Sequence, residues 1–118
     1  MEIKGEAKLL RIFISNTDTF KHTLLSETIV SSAKGYGIAG ATVIKGIMGY
    51  GSSSVIHSSK LWELTDKLPV IIEIIDESDK IDGFIALILP WFDLIRTGSL
   101  ITVEKANVIL YKQGTKKS

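Results

Sequence analysis

Three glycines at the end of a β-branched run are the residues with the clearest capacity for chemistry. In Ala41-Thr42-Val43-Ile44-Lys45-Gly46-Ile47-Met48-Gly49-Tyr50-Gly51 a strand-forming stretch opens into glycines at 46, 49 and 51, and Ser52-Ser53-Ser54 follows. With no side chains in the way, backbone amides at such a strand end can approach an anion closely. Gly-x-x-Gly-x-Gly is neither the dinucleotide fingerprint nor the Walker loop, because no helix follows and no Gly-Lys-Ser/Thr ends it. The spacing leaves two readings open, an anion-binding nest or a β-bulge with a turn. Lys45 would neutralise a phosphate, or stand solvated on an exposed strand. His57, in the polar stretch beyond, is a better ligand or pH-sensitive group than His22, and the two together match no metal-ligand spacing.

Catalysis would need a nucleophile beside a base, or two carboxylates in different environments. Glu73 and Asp76 lie three apart in a strand-like run and so point to opposite faces, which makes them a poor acid–base pair. The chain therefore reads as non-enzymatic. Cysteine is absent, which excludes disulfides, thiolate metal sites and thiol catalysis. Fourteen Lys and Arg against thirteen Asp and Glu leave a net charge of +1. The lysines are scattered, so there is no electrostatic case for nucleic acid or an anionic membrane surface. RNA binding on a sheet needs exposed aromatics on inner strands, and only Phe13 fits. Trp62 and Trp91 read as anchors in a loop and in the core. The longest apolar window, Phe84 to Phe92, is too short to span a bilayer and contains Pro90. The charged beginning does not resemble a signal peptide, and a cytoplasmic location is expected.

Positioning these residues falls to a short series of elements in 118 residues, a length that suits one domain, 1–118, with flexible ends at 1–6 and 113–118. Ala7 to Ser15 reads as a strand with Leu10, Ile12 and Ile14 on one face and Leu9, Arg11 and Phe13 on the other. Asn16-Thr17-Asp18-Thr19 offers N-caps for a helix from about Phe20 to Tyr36, stopped by Gly35 or Gly37. Ala41 to about Met48 is the second strand. The long excursion from Ser52 to Lys67 is either a functional loop or a plain β-hairpin extension. Leu68-Pro69 opens a third strand, Val70 to Ile75, and Asp76-Glu77-Ser78 caps a helix striped by Ile81, Phe84, Ile85, Ile88, Phe92 and Ile95. Pro90 should kink or end that helix near Leu89. After Arg96-Thr97-Gly98, extended chain is expected at Leu100 to Val103 and at Ala106 to Tyr111, with Glu104-Lys105 as a polar break.

The order β-α-β-β-α-β predicts an α+β, ferredoxin-like domain whose antiparallel sheet carries two helices on one face. Two helices cover only that face, yet the first and third strands are apolar on both. The uncovered face calls for another copy of the chain, hence a homo-oligomer.

At Gly40-Ala41-Thr42-Val43, Gly49-Tyr50-Gly51, Leu68-Pro69-Val70-Ile71-Ile72-Glu73-Ile74-Ile75 and Arg96-Thr97-Gly98 the chain resembles the PII nitrogen-signalling proteins. It is even more similar to their PII-like relatives, through Lys45-Gly46-Ile47-Met48-Gly49-Tyr50-Gly51 and the following His57. The resemblance covers about Lys8 to Lys112. It implies a homotrimer with inward-turned sheets and clefts between subunits that hold adenine nucleotides. It also implies a 52–67 loop that docks onto a target enzyme or membrane transporter. Thr42 then matches a threonine near the nucleotide, and Gly49, Tyr50 and Gly51 match the loop base. Thr42 to Gly49 is one residue longer than in PII proteins. Ser99-Leu100 stands where they have a Gly-Asp-Gly-Lys phosphate loop, and Val108 to Tyr111 stands where they have paired arginines, with Lys112 the nearby cation. A triphosphate would lose most of its charge-assisted hydrogen bonds. The implied ligand is accordingly AMP or ADP, held by Thr42, Lys45, Gly46, Gly49, Tyr50, Gly51 and His57. The alternative is a structural or metal-responsive trimer of the same superfold that binds no nucleotide.

Overall fold

The structure, a computed structural model, describes residues 3, 6–51, 57–58 and 67–115. In chain order its elements are β1 (Ala7–Ser15), β2 (Thr19–Phe20), β3 (Thr23–Leu24), α1 (Leu25–Tyr36), β4 (Ala41–Lys45) and β5 (Met48–Gly49). There follow β6 (His57–Ser58), β7 (Pro69–Glu77), α2 (Ser78–Ile88), a 3-10 helix (Leu89–Leu94) and β8 (Leu100–Ala106). Four strands form one antiparallel sheet in the order β4-β7-β1-β8. This is the ferredoxin-like arrangement that the element order predicts.

Alternation assigns each strand residue a face. Leu10, Ile12 and Ile14 of β1, with Val70, Ile72 and Ile74 of β7, are buried against Leu25, Ile29 and Ala33 of α1 and Ile81, Phe84 and Ile88 of α2. Both helices therefore cover the same face. Neither has a side-chain N-cap hydrogen bond, an omission worth about 1 kcal/mol. Fully burying one aliphatic side chain contributes about 1.5–3 kcal/mol, so the stripes outweigh the missing caps.

Where chain and expectation part, the reason is a local hairpin or a partner distant in sequence. The first helix starts at Leu25 rather than near Phe20, because β2 and β3 pair as a hairpin. Its central residues Lys21 (φ 51°) and His22 (φ 69°) both take the positive φ that a two-residue primed turn requires. Stacking of Phe20 on Trp91, with ring centroids 5.0 Å apart, seats the hairpin on the 3-10 helix. The 16–18 segment caps no helix by side chain. Asp18 is buried, and its Oδ2 accepts the Ser15 amide at 2.8 Å while its Oδ1 accepts the Thr97 hydroxyl at 2.6 Å. Its carbonyl takes the Leu25 amide at 2.8 Å. Gly37 does end α1, at φ 95°, a left-handed cap that suits glycine.

The second strand stops at Lys45 and resumes only at Met48, not continuously to Met48 as expected. The third strand runs on to Glu77. Asp76 is not a helix cap. Its buried carboxylate takes the Ala39 amide at 2.9 Å and the Glu77 amide at 2.7 Å. At Pro90 the α-helix does give way, to the 3-10 turn from Leu89. The expected break at Glu104-Lys105 is absent, since β8 pairs with β1 through Ala106, and the second extended piece, Ala106 to Tyr111, is irregular from 107 onward. Of the 52–67 excursion, residues 52–56 and 59–66 lie outside the described residues, and its base is the β5–β6 hairpin.

Candidate site at the glycine-rich strand end

The strand ends nearest the excursion converge on a cavity of about 400 Å³. The end of β1 contributes Phe13, Ile14 and Ser15, and the approach to β7 contributes Lys67, Leu68 and Pro69. Gly49, Tyr50 and Gly51 form a third wall, and the turn at 97–100 the fourth. Sheet register produces this meeting, because Ser15 stands opposite Pro69 and Phe13 opposite Leu100. Among the described residues that line the cavity, Lys67 alone carries charge.

Pro69 organises the glycine wall. Its carbonyl accepts the Gly46 amide at 2.7 Å. A Cβ at Gly46 would stand 2.7 Å from the Pro69 ring and 3.3 Å from its carbonyl oxygen, and one at Gly49 would stand 3.2 Å from the same ring. The chain can run this close only without side chains there. Gly46→Ala should therefore push the strand off Pro69 and lower stability by about 1–3 kcal/mol, as forced overpacking does. Calorimetric unfolding of the variant beside the parent checks this, and an unchanged midpoint would rule out the close approach.

Of the residues picked out by sequence, Gly49, Tyr50 and Gly51 line the cavity, with Tyr50 largely exposed. Gly46 lies behind the wall, against Pro69. Thr42 is opposite Glu73 and Lys45 opposite Val70 on edge strand β4, both exposed and neither on the cavity. His57 stands opposite Gly49 in the β5–β6 ladder. Sequence reasoning missed Ser15, Lys67 and Ser99 as wall residues. The Leu68-Pro69 and Arg96-Thr97-Gly98 motifs signalled their neighbourhood, as did the place of Ser99-Leu100 where PII proteins have a phosphate loop.

Beside the cavity, on the sheet face without helices, Arg11 bridges two carboxylates. Its Nε donates to Glu73 Oε2 at 2.9 Å and its Nη1 to Glu104 Oε1 at 2.6 Å. These bonds, Glu73 first and then Glu104, raise the guanidinium's already high pKa, so Arg11 stays cationic wherever the protein is folded. Leu9, Phe13, Ile44, Ile71, Ile75 and Leu100 share this face by register. Phe13 and Leu100 belong both to it and to the cavity wall.

Residues 7–108 match the model of the DUF190 family, described as uncharacterized ACR, COG1993. The chain belongs to the DUF190 family. A UPF0166 protein of Aquifex aeolicus is 40% identical over 102 residues, covering 86% of this chain and 92% of that one. One of Methanocaldococcus jannaschii is 36% identical over 104 residues, covering 87% and 92%. Among solved structures, the DUF190 chain is similar to CPII of Thiomonas intermedia K12, a nitrogen regulatory PII-like protein bound to ADP, AMP and bicarbonate. That match has a TM-score of 0.61 at 16% identity, over 89% of this chain and 92% of CPII. A provisionally assigned PII-like signalling protein of Thermus thermophilus matches with a TM-score of 0.62 at 17% identity, over 86% and 87%. The fold of the DUF190 chain is thus PII-like. No helix among its described residues is long and apolar enough to cross a membrane.

Proposed function

We propose that this DUF190 chain is a PII-like homotrimeric signalling adaptor that binds a small adenine nucleotide, AMP or ADP, in clefts between subunits. It acts on a partner protein through the 52–67 loop. The observation that carries the reading is the sharing of Phe13 and Leu100 between the cavity and the uncovered sheet face. A second copy covering that face reaches the rim of the cavity, so the ligand site becomes a cleft between chains. The cavity's size suits a ligand rather than a lone ion. The single lysine among its described lining residues favours few phosphates, because each further phosphate would meet no charged donor among those residues. CPII, with the same fold, is bound to ADP and AMP, which supports the choice of ligand.

Isothermal titration against AMP, ADP, ATP and cyclic AMP tests the ligand. AMP or ADP should bind, with ATP weaker, and heats at the blank level for all four would remove the nucleotide. Sedimentation should give three times the 12.9 kDa chain mass. A monomer at micromolar concentration would remove the assembly.

A further inference from the structure

We propose that Asn16 and Asp18 are positioning residues of the cavity: the 16–18 turn ties three of its walls together and thereby sets its affinity. The proposal rests on the reading of the cavity as a nucleotide site. Neither residue lines the cavity. Asn16 holds the β7 wall twice, its amide donating to the Leu68 carbonyl and its Oδ1 accepting the Leu68 amide, each at 2.9 Å. Asp18 holds the other two. One carboxylate oxygen takes the Ser15 amide at 2.8 Å and the other takes the Thr97 hydroxyl at 2.6 Å.

Thr97 is 79 residues from Asp18 and Leu68 is 52 from Asn16, so the turn adds side-chain fastenings just beyond the ends of the β1–β7 and β1–β8 ladders, which stop at Ser15–Pro69 and Phe13–Leu100. Thr97 sits in the turn before β8, and its hydroxyl proton is given to Asp18 rather than offered to the cavity. A charge-assisted hydrogen bond of this length is about twice as strong as a neutral one. Losing it frees the 97–100 wall while the buried strands keep their packing.

The test pairs Thr97→Val, which removes the hydroxyl at nearly constant size, with Thr97→Ser, which keeps it. Asp18→Asn attacks the link from the other side. In the ligand-free protein, amide exchange at 97–100 should quicken in Thr97→Val and stay at the parent level in Thr97→Ser. AMP affinity by titration should fall about tenfold in Thr97→Val and recover in Thr97→Ser. Asp18→Asn combined with Thr97→Val should lose no more affinity than the worse single change, because both break one bond. Additive losses would mean that Thr97 meets the ligand directly and would overturn the proposal. So would unchanged exchange, or quickened exchange with parental affinity. If the parent takes up AMP, the affinity comparison is made with it, and otherwise with ADP; if it takes up none of AMP, ADP, ATP and cyclic AMP, the nucleotide reading falls and the exchange comparison alone decides whether the turn holds the walls.

Discussion

Arg11→Glu is expected to leave the protein monomeric at concentrations where the parent forms the proposed trimer. The change replaces the cation between Glu73 and Glu104 with a third carboxylate, on a face that also presents Leu9, Phe13, Ile44, Ile71, Ile75 and Leu100 beside Thr42 and Thr102. In the free chain these groups keep partial access to water, with side-chain exposures of 35%, 33% and 60% for Arg11, Glu73 and Glu104. Exposed pairs of this kind contribute little to a monomer's stability. Assembly would strip away that water. An uncompensated charge pushed into a contact between chains is far more costly than one at the surface. The expected signature is a loss of assembly with little change in the far-ultraviolet circular dichroism of the monomer. Glu73→Gln, which leaves Glu104 paired with Arg11, should have a much smaller effect. A trimeric Arg11→Glu protein would place the contact on another face.

The second large effect concerns stability. Asp76→Ala should lower the unfolding free energy by about 2–4 kcal/mol, since each amide left without its acceptor costs about 1–3 kcal/mol. The carboxylate is almost wholly buried and serves the Ala39 amide on the approach to β4 and the Glu77 amide where β7 passes into α2. It thus fastens two chain segments 37 residues apart. Asp76→Asn should recover only part of the loss, because its amide nitrogen would face a second N–H. Urea unfolding followed by fluorescence measures both, and a change within about 0.5 kcal/mol, typical of an unimportant surface site, would refute the role.

Asp76 and Asp18 also explain what the sequence discloses. The sheet is legible because β1 and β7 alternate or stay apolar over nine residues each, and burial enforces that pattern. Helix starts are less legible. Asp18 and Asp76 look like caps to any local rule, but their carboxylates are engaged by Thr97 and Ala39, which only the folded chain brings near. Glu104 reads as a strand breaker until Arg11 is placed opposite the neighbouring ladder position. The candidate site divides in the same way. Gly49, Tyr50 and Gly51 announce themselves by composition, whereas Ser15, Lys67 and Ser99 are ordinary residues made neighbours by strand register. Thr42 and Lys45 share the glycines' strand run, but interruption at Gly46 sends them along the sheet edge instead.

The double membership of Phe13 and Leu100 has a thermodynamic corollary. Where one pair of side chains lines both a ligand's wall and a contact between chains, the two equilibria cannot be independent. A ligand that prefers the completed cleft draws chains together by mass action, and dilution of the chains weakens the ligand's hold by the same free energy. Ligand binding in such a molecule is inseparable from how much of it is present.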